Sequence, residues 1–241
     1  MTRHVGILAH SAEGATLSYR TVWQEGIRRL GAHDHPQITM SGGPMAPTLE
    51  LWERGDLAAL RQLFLEDAER LAAAGADFFI LPDNTAHIAL EQPGPDFPIP
   101  CLHIAEVVTA QAQADGRSHV AVLGTSWTME GPVYRDALAR RDLGRSIPDK
   151  ADRETIHEAI FGELCLGEFR EATRQEFVRI IGILAGRGCD AVALVCTEIP
   201  LLVTPDVSPL PVLDSTRLQA REAVAVALGE SPMPNWRCGP L

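Results

Sequence analysis

An α/β fold of two similar lobes, each a parallel sheet flanked by helices, is the architecture the sequence predicts. Three observations predict it. Short apolar runs of strand length alternate with helical stretches along the whole chain, the pattern of parallel sheets covered by helices. The second half repeats the first at a nearly fixed offset. The composition is that of an ordinary globular protein, 46% hydrophobic and 22% charged over 241 residues, enough for two small cores.

The elements follow in order. Val5 to Ala9 is a strand, and Ser11 is placed to cap a helix that runs to Leu30 and stops at Gly31. The segment from His33 to Pro47 carries Gly42, Gly43 and three prolines and reads as loop. Asp56 opens an amphipathic helix with Leu57, Leu60, Phe64, Ala68 and Leu71 three or four apart, and Gly75 terminates it. Phe78 to Leu81 is a buried strand, and the prolines from 93 to 100 mark a connector. His103 to Ala114 is helical, Val120 to Leu123 a strand, and Met129 to Arg141 a helix. Asp152 to Leu164 and Arg170 to Ala185 are two more helices, and Ala191 to Val195 is a strand. Pro211 to Leu213 is a last strand, Ser215 to Leu228 a last helix, and the tail from Glu230 is expected to be loose.

The repeat sharpens this. Gly75-Ala76-Asp77-Phe78-Phe79-Ile80-Leu81-Pro82-Asp83 matches Gly188-Cys189-Asp190-Ala191-Val192-Ala193-Leu194-Val195-Cys196 at one offset of 113 (188 against 75, 196 against 83). Ile99 to Leu102 resembles Leu210 to Leu213, and Val5 to Ser11 resembles Val120 to Ser126. The expected lobes are residues 1–98 with 209–229, and residues 99–208, with 230–241 as a tail. A pseudo-twofold axis between them would bring Asp83 and Cys196, both at carboxyl ends of equivalent strands, to a common cleft where ligands of open α/β sheets bind.

Charge and composition exclude several classes. A net charge of −11 disfavours nucleic-acid and anionic-membrane partners. The N-terminus has no signal-peptide layout and no run is long enough to span a bilayer, so a cytoplasmic address is expected. Five cysteines without a CxxC suit free thiols. His33-Asp34-His35 has no third ligand in view, which disfavours a metal hydrolase, and no glycine-rich phosphate loop follows the first strand, which disfavours a nucleotide-binding fold.

Asp83-Asn84-Thr85-Ala86-His87 and Cys196-Thr197-Glu198-Ile199-Pro200 resemble the two signatures of the aspartate/glutamate racemase superfamily. That resemblance covers roughly residues 3 to 229. It implies an isomerase, free of pyridoxal phosphate and metal, that moves a proton at the α-carbon of a small carboxylic acid, an amino acid foremost. It implies Cys196 as one of two catalytic residues; Asn84, Thr85 and Thr197 as binders of the α-carboxylate, with Thr125 and Thr128 as helpers; and a homodimer. The sequence departs from the family in two places: Asp83 stands where the first cysteine belongs, and His10-Ser11-Ala12-Glu13-Gly14 replaces the usual Gly-Gly-Met turn. Asp83 therefore reads either as a base or as a helix N-cap, and the alternatives of a single-cysteine decarboxylase or lyase, or a catalytically silent carboxylate-binding protein, remain beside the racemase.

Physical chemistry gives the remaining residues their roles. Ser11, Asn84, Thr85, Thr125 and Thr197 follow strands near helix N-termini, where backbone N–H groups favour a bound carboxylate; Ser11 and Thr125 serve equally as plain caps. The same setting is expected to lower the Cys196 pKa. His87, four residues after Asp83, is positioned to tune the carboxylate, and Glu198 to tune Cys196 or cap a helix.

Overall fold

The computed structural model describes residues 2–240. Its first elements are β1 (Val5–Leu8), α1 (Ala12–Leu30), β2 (Ile38–Ser41), α2 (Ala46–Arg54), α3 (Leu57–Ala73), β3 (Phe78–Ile80) and α4 (His87–Leu90). Then come α5 (Ile104–Ala114), β4 (His119–Gly124), α6 (Ser126–Glu130), α7 (Pro132–Ala139), β5 (Gly144–Ser146), α8 (Lys150–Gly162) and α9 (Glu171–Gly186). The chain ends with β6 (Ala191–Val195), α10 (Ile199–Leu202), β7 (Val212–Asp214) and α11 (Ser215–Leu228). It divides into two compact units: one runs up to Ile104 and resumes at Thr216, the other is Ala105–Ser215. The crossings fall at the first residues of α5 and α11, a few positions beyond the expected boundaries.

The first unit holds a parallel sheet of order β2-β1-β3, extended by a single bridge between Phe79 and Cys101. β1 and β3 are buried along their whole length, as parallel strands covered on both faces must be. Val5, Ile7, Phe78 and Ile80 pack against Ala220, Ala223 and Val224 of α11. α3 lies against the same sheet and buries Leu60, Phe64, Ala68 and Leu71, the periodic face read from the sequence. Asp56 caps it by accepting the Ala59 N–H at 3.0 Å, and Gly75 leaves it with a φ of 88° that a side chain would resist.

The second unit holds a parallel sheet of order β5-β4-β6-β7. Ala121, Leu123, Val192 and Leu194 bury one face under Ile156 and Ile160 of α8 and Phe177, Ile181 and Leu184 of α9. Strand orders of the two units correspond: β1 with β4, β2 with β5, β3 with β6, and the Cys101 bridge with β7. Small polar features correspond too. Phe79 donates its N–H to Pro100 O at 2.9 Å, and Val192 does the same to Pro211 O at 2.9 Å. His4 Nε2 meets Thr39 Oγ1 at 2.9 Å, and His119 Nε2 meets Ser146 Oγ at 2.9 Å. Such matched details are what a duplicated α/β unit predicts.

Five segments differ from expectation. β2 lies inside the segment expected to be loop; it is a four-residue, half-exposed edge strand between Pro36 and Gly42, too short to show a period. α2 follows it, opening with Pro47 in its first turn. The helix expected over Met129–Arg141 starts earlier, at Ser126, and is broken into α6 and α7 at Gly131-Pro132. β5, three polar residues on a sheet edge, carries no apolar signal. The tail is not loose: Phe97 and Cys101 donate N–H groups to Arg237 O and Trp236 O at 3.1 and 2.9 Å, and Arg237 Nη1 donates to Phe97 O at 2.8 Å. Its carbonyls accept the N–H groups of Phe97 and Cys101, and the Arg237 guanidinium supplies a donor to the Phe97 and Pro98 carbonyls of an edge that Pro98 and Pro100 leave short of donors.

Candidate active site

Strand register builds the half-site of the first unit. Ile7 pairs with Ile80 in the parallel ladder, so the residues three positions farther along both strands, His10 and Asp83, leave the sheet side by side. His10 Nδ1 is bonded to Asp83 Oδ2, and the other carboxylate oxygen accepts the Ala86 N–H at 3.0 Å. The two side chains are 8% and 17% exposed. On its far side, His10 Nε2 lies 2.7 Å from Thr48 Oγ1, and the Thr48 hydroxyl donates to Met45 O at 2.6 Å. Phe64 stands edge-on to the imidazole with ring centroids 5.5 Å apart. Burial pushes the Asp83 carboxyl up, but the charge and hydrogen bond of His10, with the Ala86 N–H, outweigh it, and the net shift is downward.

Around that pair, Asn84 is buried and Thr85 half-buried. Ser11 is buried and caps α1 by accepting the Gly14 N–H at 3.2 Å. His87 reaches the main-chain oxygen of Asp83 at 2.8 Å, not its carboxylate, and its Nε2 accepts the Ile104 N–H at 3.4 Å. Burial, reinforced by neighbouring His103, pushes its pKa down to about 3, which keeps the ring neutral.

The half-site of the second unit is built the same way. Gly124 pairs with Val195, and Thr125 and Cys196 come next on the two strands. A Cβ on Gly124 would stand 2.7 Å from Val195 O, so only glycine permits this approach. Thr125 caps α6 by accepting the Thr128 N–H at 3.2 Å, and the two hydroxyls are 3.0 Å apart. The Cys196 thiol donates to Glu198 Oε2 at 3.1 Å, and the Thr197 hydroxyl donates to the same oxygen at 2.8 Å. Cys196, Thr197 and Glu198 are all buried.

The expected lowering of the Cys196 pKa does not occur. Burial pushes the thiol up, and the adjacent Glu198 charge pushes it further. α10 cannot oppose them, because four residues make almost no macrodipole.

Two residues of this arrangement were not singled out by sequence. His10 had a signal available: the offset of 115 that matches Val120 to Val5 also matches Thr125 to His10, so the residue beside Asp83 corresponds to the one beside Cys196. Thr48 had none, because only the placement of α2 brings it to His10. Among the described residues no group of three His, Cys, Asp or Glu could hold a metal ion, and no helix is long and apolar enough to cross a membrane.

Comparison with known proteins gives consistent matches. The Asp/Glu/Hydantoin racemase family profile matches residues 8–223. A crystal structure of a putative Asp/Glu racemase from Yersinia pestis is similar with a TM-score of 0.82 and 30% identity, covering 94% of this chain and 99% of that one. The aspartate racemase of Picrophilus torridus is similar in fold, with a TM-score of 0.79 and 19% identity over 93% of this chain and 94% of its own. The broad specificity amino-acid racemase RacX of Bacillus subtilis is 22% identical over 169 residues, 70% of this chain and 73% of the relative.

Proposed function

The chain belongs to the Asp/Glu/Hydantoin racemase family, and from that premise we propose that it interconverts the enantiomers of a small amino acid by exchanging the α-proton through Asp83 and Cys196. Membership makes it a cofactor-independent isomerase-type enzyme that transfers a proton at the α-carbon of a small carboxylic acid. The observation that carries the residue assignment is the repeat: Asp83 and Cys196 leave equivalent strands, β3 and β6, at equivalent positions. The activities of the relatives, aspartate racemase and broad specificity amino-acid racemase, favour an amino acid as substrate. Asn84, Thr85 and Thr197 hold its α-carboxylate in this reading, with Ser11, Thr125 and Thr128 shaping the turns beside them. A homodimer belongs to the same proposal.

Chemistry then assigns the strokes. Reference pKa values near 3.9 for Asp and 8.5 for Cys leave a gap of about 4.6 units, roughly 6 kcal/mol. Both shifts, Asp83 down and Cys196 up, widen it. The resting pair is carboxylate and thiol, so Asp83 begins as base and Cys196 as acid. The carbanion formed between those strokes is stabilised by donors on the carboxylate and by exclusion of water.

Proton NMR in D₂O with L- and D-aspartate, L- and D-glutamate, other amino acids and a few malonates tests this. Loss of the α-proton signal with inversion, abolished in Cys196→Ala and in Asp83→Asn, is the expected result. Product carbon dioxide from a malonate without racemisation would replace the reading with a decarboxylase. Exchange that survives both substitutions would remove Asp83 and Cys196 from the chemistry.

A further inference from the structure

We infer that His10, locked in one tautomer by Thr48, is the proton store behind Asp83: the proton Asp83 takes passes on to His10 Nδ1 and returns by the same route. The inference rests on the racemase reading of Asp83 and says how that carboxylate can serve as acid as well as base.

The hydrogen-bond chain assigns the protons. Thr48 has one hydroxyl proton, and it is given to Met45 O at 2.6 Å. Its oxygen can therefore only accept from His10 Nε2 at 2.7 Å, so Nε2 carries a hydrogen. A neutral ring with Nε2–H presents a lone pair at Nδ1. That lone pair cannot face a carboxylate lone pair in hydrogen-bond contact, so the Nδ1–Oδ2 contact holds one proton. The pair is then carboxylate with imidazolium, or carboxyl with imidazole, two arrangements of equal charge.

The step balances without another reagent. When that proton is absent the Nδ1–Oδ2 hydrogen bond opens, and the pair is anionic Asp83 beside neutral His10. Asp83 takes the α-proton, the C–H electrons stay on the substrate carbanion, and the proton moves from oxygen to Nδ1. In the return stroke His10 gives the proton back to Asp83, which delivers it to a carbanion formed by the Cys196 thiolate. Storage on histidine, with a reference pKa near 6.5 against about 3.9 for aspartate, removes about 2.6 units of the mismatch with cysteine, roughly 400-fold.

Groups of α3 and α4 surround the His10–Asp83 pair. Phe64 from α3 covers the ring edge. Glu66, Asp67 and Arg70 of α3 line a pocket of about 190 Å³ onto which His10 and Thr48 also open, and Asp67 and Arg70 pair with each other at 2.5 Å. His87 of α4, bonded to Asp83 O, stays neutral down to about pH 3.

Two measurements test the store. ¹⁵N NMR of histidine-labelled resting protein should show His10 with Nε2 always protonated and Nδ1 titrating, and the Nδ1 titration should fall by at least one pH unit in Asp83→Asn. It needs no turnover, so it is decided even if the amino-acid panel is silent and the racemase reading fails. The pH profile of kcat/KM for α-proton exchange should have its acid limb in the histidine range, and His10→Asn should move that limb down by two units or more. Thr48→Val should lower the rate about tenfold or more and Thr48→Ser should restore it. A His10→Asn enzyme that is slower with its acid limb unmoved would reduce His10 to a structural neighbour, and a resting His10 protonated on Nδ1 with Nε2 bare would overturn the assignment.

Discussion

Asp77 and Asp190 carry out one task in the two units. Asp77 Oδ2 accepts the His4 N–H at 2.7 Å just before β1, and its own N–H returns to His4 O at 2.9 Å. Asp190 accepts the N–H groups of Ser118 and His119 at 2.7 and 3.1 Å just before β4, and returns its own to His119 O at 2.9 Å. Each aspartate thus staples the entry of a central strand to the entry of its neighbour, and so fixes the register that later places His10 beside Asp83 and Thr125 beside Cys196.

Asp190→Ala should therefore destabilise the protein by about 2 kcal/mol, the worth of charge-assisted bonds to main-chain donors at a partly exposed site. Asp190→Asn, which keeps one acceptor oxygen, should cost less. Urea unfolding with equal m-values reads both. A loss under about 0.5 kcal/mol for the alanine variant would mean that the ladder alone sets the register.

Gly42 follows β2 and faces the main chain of Ala9, the residue before His10. A Cβ there would stand 1.9 Å from Ala9 O, on a main chain already held by the Ala9 N–H bond to Ser41 O at 2.7 Å. Gly42→Ala should cost about 3 kcal/mol through overpacking and should lower activity by displacing His10. Gly43→Ala is the control, because nothing lies within 4 Å of its Cβ position. Equal melting temperatures for the two variants would contradict the close approach.

Sequence carried the parallel sheets well, because β3, β4 and β6 are continuous apolar runs and the helices between them are periodic. The equivalent strand-end positions of Asp83 and Cys196 were legible too, because the repeat aligns them at one offset. Edge strands β2 and β5 were illegible: three or four residues, none of them buried, have no hydrophobic period to read. The direction of the Cys196 shift was also out of reach. It depends on the Glu198 side chain folding back onto the thiol and on the shortness of α10, and both are tertiary facts.

His87 makes stability depend on pH. Its pKa is near 6.5 in an unfolded chain and about 3 in the folded protein. Between those values the unfolded state binds one more proton, so the stability of the fold rises with pH across the window and is lost on acidification. The loss amounts to about 2 kcal/mol at pH 5 relative to neutral pH, at ~1.36 kcal/mol per unit. Asp83, shifted downward, adds a loss of the same sign only below about pH 4. Denaturant unfolding from pH 7 to 5 should show this slope, and His87→Gln, though less stable at pH 7, should flatten it by close to one proton. An unchanged slope would mean that His87 is not held neutral.

Cys196 gives the sharpest electrostatic test, because Glu198 acts on it in one direction only if it remains an anion beside a thiol. The thiol donates to the Glu198 carboxylate at 3.1 Å, and burial with that charge holds the proton on sulfur. Glu198→Gln keeps the shape and removes the charge, so the thiol pKa should fall and thiolate should form at lower pH. Alkylation by neutral iodoacetamide, read at the Cys196 peptide by mass spectrometry because Cys101, Cys165, Cys189 and Cys238 are also free thiols, should show its midpoint lowered by about one pH unit. The opposite shift would mean that Glu198 withdraws the thiol proton as a base. In that case the second unit would contain a carboxylate-thiol relay, and the resting proton would sit on the carboxyl group rather than on sulfur.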